Sequence, residues 1–213
     1  MSLEEYSFAI AFIFEGSTEK CFYFSLLEYL ANSVEAKFEE IVDNNEIYHV
    51  WTDSNKKVLI KHNVVGTITQ ITNSYLWFKS KCGSIKTKWT VFLCYDTDDY
   101  KEDITKFYED DWKTLRKNIG KKAEIIDLAA NADIEDIFLT DLPGICRFLG
   151  LETPKLEKII GKKGKSKIKR LFKIAGATYH EGAKAKNLID ALNMEYIIEN
   201  APVKLKKIRQ ILL

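Results

Sequence analysis

The chain has 213 residues, 46% of them apolar and 12% aromatic, enough to bury the core of one domain or of one domain with a small appendage. Three prolines and ten glycines exclude a collagenous or Pro-rich chain. With 32 Lys and Arg against 31 Asp and Glu, the total charge names no acidic or basic partner, so only its distribution can.

In chain order, Phe8–Phe14 reads FAIAFIF, a continuous apolar run closed by Glu15-Gly16-Ser17. Such a run predicts a strand buried on both faces. It is far short of the roughly 20 residues that cross a bilayer. Residues 1–5 lack the positive segment of a signal peptide, so the expectation is a cytoplasmic protein with no membrane partner. Ser17-Thr18-Glu19 offers a helix cap, and Phe22, Leu26, Leu27 and Leu30 follow at helical spacing. Residues 36–60 hold short strand-like pieces, notably 47–51 and 57–60, and 63–79 reads as a helix. WTVFLCY at 89–95 predicts a second buried strand, which runs into Asp96-Thr97-Asp98-Asp99. A helix over about 101–117 and a strand over 123–128 come next, then Ile134, Ile137, Phe138 and Leu142 at helical spacing with no further strand. Strand–helix alternation predicts an α/β fold, a mostly parallel sheet flanked by helices. The expected division is a domain over 1–150 and a basic helical C-terminal extension over 151–213.

Charge is polarised along the chain. Residues 155–186 carry eleven Lys or Arg and two acids, whereas 96–111 carry eight acids and two Lys. Cys21, Cys82, Cys94 and Cys146 form no CxxC pair and read as reduced, packed side chains, and three scattered histidines build no His-rich zinc site. Any metal would therefore have oxygen ligands.

Ligands of open α/β sheets gather beyond the carboxyl ends of strands. Two such ends carry acids here: Glu15 and Glu19 after the first strand, Asp96 and Asp98 after the second. Two carboxylates 4 Å apart repel by about 4 kcal/mol at an effective dielectric near 20. If those four converge, a divalent cation such as magnesium or manganese offsets the repulsion. Each element also has a plainer reading: DxD as a solvated loop, EGSTE as a helix cap, 102–111 as the wet face of a helix. The segment 161–170, GKKGKSKIKR, places Lys162, Lys163, Lys165, Lys167, Lys169 and Arg170 where they could neutralise phosphates, or simply form a solvated helix face.

FIFEGSTE at 12–19 resembles the first Toprim motif, VFLCYDTD at 91–98 the second, and Asn131 to Leu139, with Glu135, the third acidic motif of the OLD-family and RloB-like branch. The resemblance covers about 8–140. It implies a Toprim-like fold and a metal-dependent nuclease that cleaves phosphodiester bonds in RNA such as tRNA, or in DNA, as an antiphage defence or toxin-like effector. It implies two Mg²⁺ or Mn²⁺ ions held by Glu15, Glu19, Asp96, Asp98 and Glu135, with Asp133 a weaker candidate and Asp99 facing solvent or supporting the ligands. Glu15, Asp96 and Asp98 would be catalytic, and Lys184, after Tyr179-His180-Glu181-Gly182, would assist at the phosphate, with Lys186 the other candidate. Implied partners are nucleic acid, a separate ABC-type ATPase (the chain has no Walker A motif) and a second copy in a homo-oligomer. Two rivals stand beside it: a haloacid-dehalogenase-type phosphatase, though DTDDY departs from that family's DxDGT, and a non-catalytic nucleic-acid-binding or regulatory module.

Overall fold

The computed structural model describes residues 6–43, 46–98, 109–119 and 123–213. The chain divides into two units. The first comprises 1–16, 27–94 and 106–127, the second 17–26, 95–105 and 128–213.

The first unit is organised by β1 (Phe8–Phe14). From Ala9 onward every residue of this strand is buried, as its unbroken apolar run requires. It lies parallel to β4 (Lys57–Val64) on one edge and to β5 (Trp89–Asp96) on the other, with Phe12 opposite His62 and Phe92. Phe12 and Phe92 stack at 5.1 Å. β2 (Lys37–Asp43), β3 (Glu46–Thr52) and β4 form an antiparallel meander, and β6 (Ala123–Ala130) completes a six-stranded sheet of order β2-β3-β4-β1-β5-β6. The α/β class expected from sequence is observed, with a sheet that is mixed and parallel at its centre. The antiparallel meander arises because residues 36–60 are too short for crossover helices.

One predicted helix, 63–79, is broken. β4 continues to Val64, and two short helices follow, α2 (Ile68–Ile71) and α3 (Ser74–Lys81). Val64, Val65 and three threonines favour extended backbone over helix at this start. Of the helix expected over 101–117, α4 (Glu109–Ile119) is described, and 99–108, with Asp99, lies outside the described residues.

The second unit is helical. α1 (Ser17–Ser33) starts in it, and α5 (Ile134–Phe138), α6 (Leu142–Leu149), α7 (Gly164–Ile174), α8 (Lys186–Asp190), α9 (Met194–Asn200) and α10 (Lys206–Leu212) belong to it. No strand follows β6 among the described residues. α5 packs on α7, and α6 on α7. Phe22 of α1 meets Phe138 at 5.5 Å, and Phe172 of α7 meets Tyr179 edge-on at 5.4 Å. Sequence signals set the ends of α6: the Asp141 carboxylate accepts from Gly144 N at 3.0 Å, and Gly150 closes the helix in the left-handed conformation. Neither Ser17 nor Thr18 caps α1 as expected; Gly16 takes the cap position without a side-chain bond, and the Thr18 hydroxyl accepts from Gly182 N at 2.8 Å instead.

The four cysteines are free, and three of them are buried. Among the described residues no helix is long and apolar enough to cross a membrane.

Candidate active site

Two strand ends meet inside the second unit. Thr97 N donates to Ala130 O at 3.0 Å and Asp98 N to Ala132 O at 2.9 Å, while the Thr97 hydroxyl accepts from Ala132 N at 2.9 Å. Thr97, the buried residue between the two aspartates, is therefore a clamp. It carries Asp96 and Asp98 alongside Asp133, and Asp98 takes a left-handed φ of 59°, a conformation uncommon outside glycine but one aspartate tolerates better than most.

α7 arrives at this corner with its N-terminus. Gly164 N donates to Asp136 Oδ2 at 3.1 Å, and Lys165 N donates to both Asp133 oxygens at 3.1 Å. Lys163 N donates to Ser166 Oγ at 3.1 Å, and that hydroxyl returns a bond to Lys163 O at 2.8 Å, closing the first turn. Orphan amides of one helix thus serve the acids that open another. The result is a cleft of about 450 Å³ lined by Asp96, Asp98, Asp133, Ser166 and the lysines 162, 163, 165 and 169.

Behind the cleft, Glu135 is completely buried. Its Oε1 accepts from the Tyr179 hydroxyl at 2.8 Å, and its Oε2 has no hydrogen-bond partner among the described residues. Burial pushes the Glu135 carboxyl up to about 7; the Tyr179 hydroxyl opposes the rise and the Asp133 charge adds to it. Burial likewise pushes Asp133 up to about 6; the Lys165 amide opposes the rise and the neighbouring Asp136 adds to it. Burial lowers Lys165, but the carboxylates of Glu135, Glu181 and Asp96 more than reverse this and leave its ammonium above the ordinary range. Tyr179→Phe should raise the Glu135 carboxyl further and cost about 1–2 kcal/mol by leaving both its oxygens unpaired. Carboxyl titration followed by NMR in the variant checks this; an unchanged or lowered Glu135 midpoint would contradict it.

The predicted site residues are placed as follows. Asp96 and Asp98 line the cleft, the latter tied to Lys163 by Nζ–Oδ1 at 2.9 Å. Glu135 lies buried behind it. Glu19 is buried in the first turn of α1, in the same unit. Glu15 belongs to the first unit, where its N–H donates to Cys94 O at 2.8 Å and its carbonyl accepts from Gly66 N at 2.7 Å, extending the sheet's ladder. Of the six cations expected to bind nucleic acid, Lys162, Lys163, Lys165 and Lys169 line the cleft, and Lys167 and Arg170 do not. Lys184 is exposed in a short 3-10 turn, and Lys186 bonds Asp190 Oδ1 at 2.9 Å. Asp136, Ser166, Tyr179 and Glu181 were not singled out by sequence. Only the Tyr179–Gly182 string hinted at the last two, since the other signals are tertiary. Among the described residues no group of three or more His, Cys, Asp or Glu is arranged to hold a metal ion. The Lys163 ammonium engages Asp98, and the Lys165 amide engages Asp133.

No family model matches the chain, and no curated protein does. Solved structures similar to it include futalosine hydrolase of Helicobacter pylori strain 26695, as a mutant, at 11% identity and a TM-score of 0.31 over 97% of this chain and 100% of that one. Helicobacter pylori MTAN matches at 13% identity and a TM-score of 0.25 over 84% and 81%. Campylobacter jejuni 5′-methylthioadenosine/S-adenosyl homocysteine nucleosidase matches at 11% and 0.26 over 87% and 100%. At such scores the likeness carries no assignment of activity. These neighbours are nucleosidases and a futalosine hydrolase, not Toprim nucleases, so the Toprim identification is corrected, and with it the magnesium-dependent endonuclease and the defence role drawn from that resemblance. There is a physical reason the motifs misled: an apolar strand followed by an acid describes the carboxyl end of many parallel strands, whatever the family.

Proposed function

We propose that the chain is a hydrolase that anchors the phosphate of a small phosphorylated molecule among the cleft lysines and moves protons through Asp133. One observation carries the reading: the buried Asp133 carboxyl, both oxygens held by the Lys165 amide, stands in the wall of a cleft lined by four lysines, where burial pushes it up to about 6. A carboxyl with that value exchanges protons near neutral pH, as a general acid–base group needs. In its ionised form Asp133 takes a proton from the attacking water, and the acid so formed delivers that proton to the leaving atom. Lys163 and Lys165 hold negative charge where it collects. Glu135, sealed from the cleft, acts through its charge on Lys165 and touches no substrate.

The test incubates the chain with a panel of nucleotides and sugar phosphates and follows each by mass spectrometry for products that have gained one water. Turnover by the wild type and a fall of about 100-fold in kcat for Asp133→Asn is expected, the lower range for loss of a general acid–base group. Full activity in Asp133→Asn, or no hydrolysis of any phosphorylated compound, defeats the reading.

A further inference from the structure

Lys165 and Lys169 stand one turn apart on α7, and both reach one carboxylate, that of Glu181. Lys165 Nζ lies 3.1 Å from Oε2 and Lys169 Nζ 3.3 Å from Oε1, one ammonium for each oxygen. Both lysines also line the cleft. Glu181 is fixed by its neighbours in sequence. Two residues before it, the Tyr179 hydroxyl bonds Glu135. Immediately after it, Gly182 donates its N–H to Thr18 Oγ1 at 2.8 Å, in a left-handed conformation of φ 69° where a Cβ would come within 2.7 Å of Ser17 Oγ. The main chain on both sides is therefore anchored, while the carboxylate itself is 44% exposed.

Resting on the reading of the cleft as a phosphate anchor, we propose that Glu181 is a built-in occupant of the Lys165–Lys169 fork, displaced by the phosphate of a monoester substrate, and that this exchange selects phosphate dianions over carboxylates. Exposed ion pairs contribute little individually, so an incoming anion breaks them at small cost. The exchange favours an anion only if it offers the two ammonium groups more than Glu181 does. A ligand carboxylate offers the same single charge and the same two oxygens, and gains nothing. A phosphate monoester carries close to two charges at neutral pH and three terminal oxygens, and it gains. The fork thereby rejects carboxylates without a steric barrier, by keeping one permanently in place.

The experiment is calorimetric titration of inorganic phosphate, and separately of acetate, into the full chain at low salt, with wild type, Glu181→Gln and Glu181→Gln/Lys169→Gln, each shown by thermal melting to be folded. Wild type should bind phosphate and not acetate. Glu181→Gln should bind phosphate about 10-fold tighter and acquire acetate binding, and the added Lys169→Gln change should reverse both gains. Phosphate binding to wild type that is unchanged or weaker in Glu181→Gln overturns the displacement while leaving the phosphate anchor standing. Absence of phosphate binding in wild type and in both variants overturns the anchor and the displacement together.

Discussion

Gly164→Ala is expected to lower the free energy of unfolding by about 3 kcal/mol, the upper range for forcing a group into a packed site with loss of its hydrogen bonds. Gly164 is the first residue of α7 and is buried against the start of α5. A Cβ there would fall within 2.6 Å of Asp133 Oδ1 and of the Glu135 carbonyl carbon, and closer still to Asp136 N. Two of these atoms are backbone, so no rotamer change relieves the clash and the helices must part. Parting stretches the bonds by which α7 holds two carboxyls, Gly164 N to Asp136 and Lys165 N to Asp133. Urea unfolding of the variant beside wild type measures the effect. A Gly164→Ala protein as stable as wild type would mean that α5 and α7 are not in close contact. Activity should fall with stability, because the same amides that seat the helix hold Asp133 and Asp136 in register.

The contrast between what sequence showed and what it hid follows from the range of the interactions. β1 and β5 were legible because burial on both faces writes itself as an unbroken apolar run, FAIAFIF and WTVFLCY. α7 was visible only as a run of lysines interleaved with Ile168, Leu171 and Phe172, and those three apolar residues are the ones buried. Asp96, Asp98 and four lysines were placed near chemistry by composition and position, and the structure gathers them in one cleft. What escaped was pairing at long separation. Tyr179 and Glu135 are bonded across 44 positions, and Lys165 reaches Asp133 across 32. A local pattern read acids as metal ligands because nothing local shows that a lysine ammonium stands among them. Thr97 likewise passed as the spacer of DxD, yet its hydroxyl joins the two strand ends.

Stability should fall as pH rises from about 4.5 to about 7, and Glu135→Gln should remove a large part of that fall. The sign follows from proton counts. Burial raises the Glu135 carboxyl from 4.5 to about 7 in the folded chain. Between these values the folded form keeps a proton that the unfolded form has released, so unfolding releases it and alkali favours unfolding. The stabilisation is complete below about 4.5 and gone above about 7; one proton over that interval corresponds to about 3 kcal/mol. Asp133, raised from 3.8 to about 6, adds in the same direction over an overlapping interval. Glu46, Asp53 and Glu181 are shifted the other way, by bonds from Lys81 and Lys61, from the Asn55 amide, and from Lys165 and Lys169 respectively, the last against a burial that alone would raise it. Their contributions are lost only as pH falls below their ordinary values, outside the interval. Gln at 135 keeps an oxygen for the Tyr179 hydroxyl and cannot ionise, so its urea midpoint should change less between pH 5 and pH 7.5 than that of wild type, with Glu135→Gln/Asp133→Asn flatter again. A wild-type midpoint that climbs over this range, or a Gln variant with the wild-type slope, would mean that Glu135 is not the sealed carboxyl on which the electrostatics of Lys165 depend.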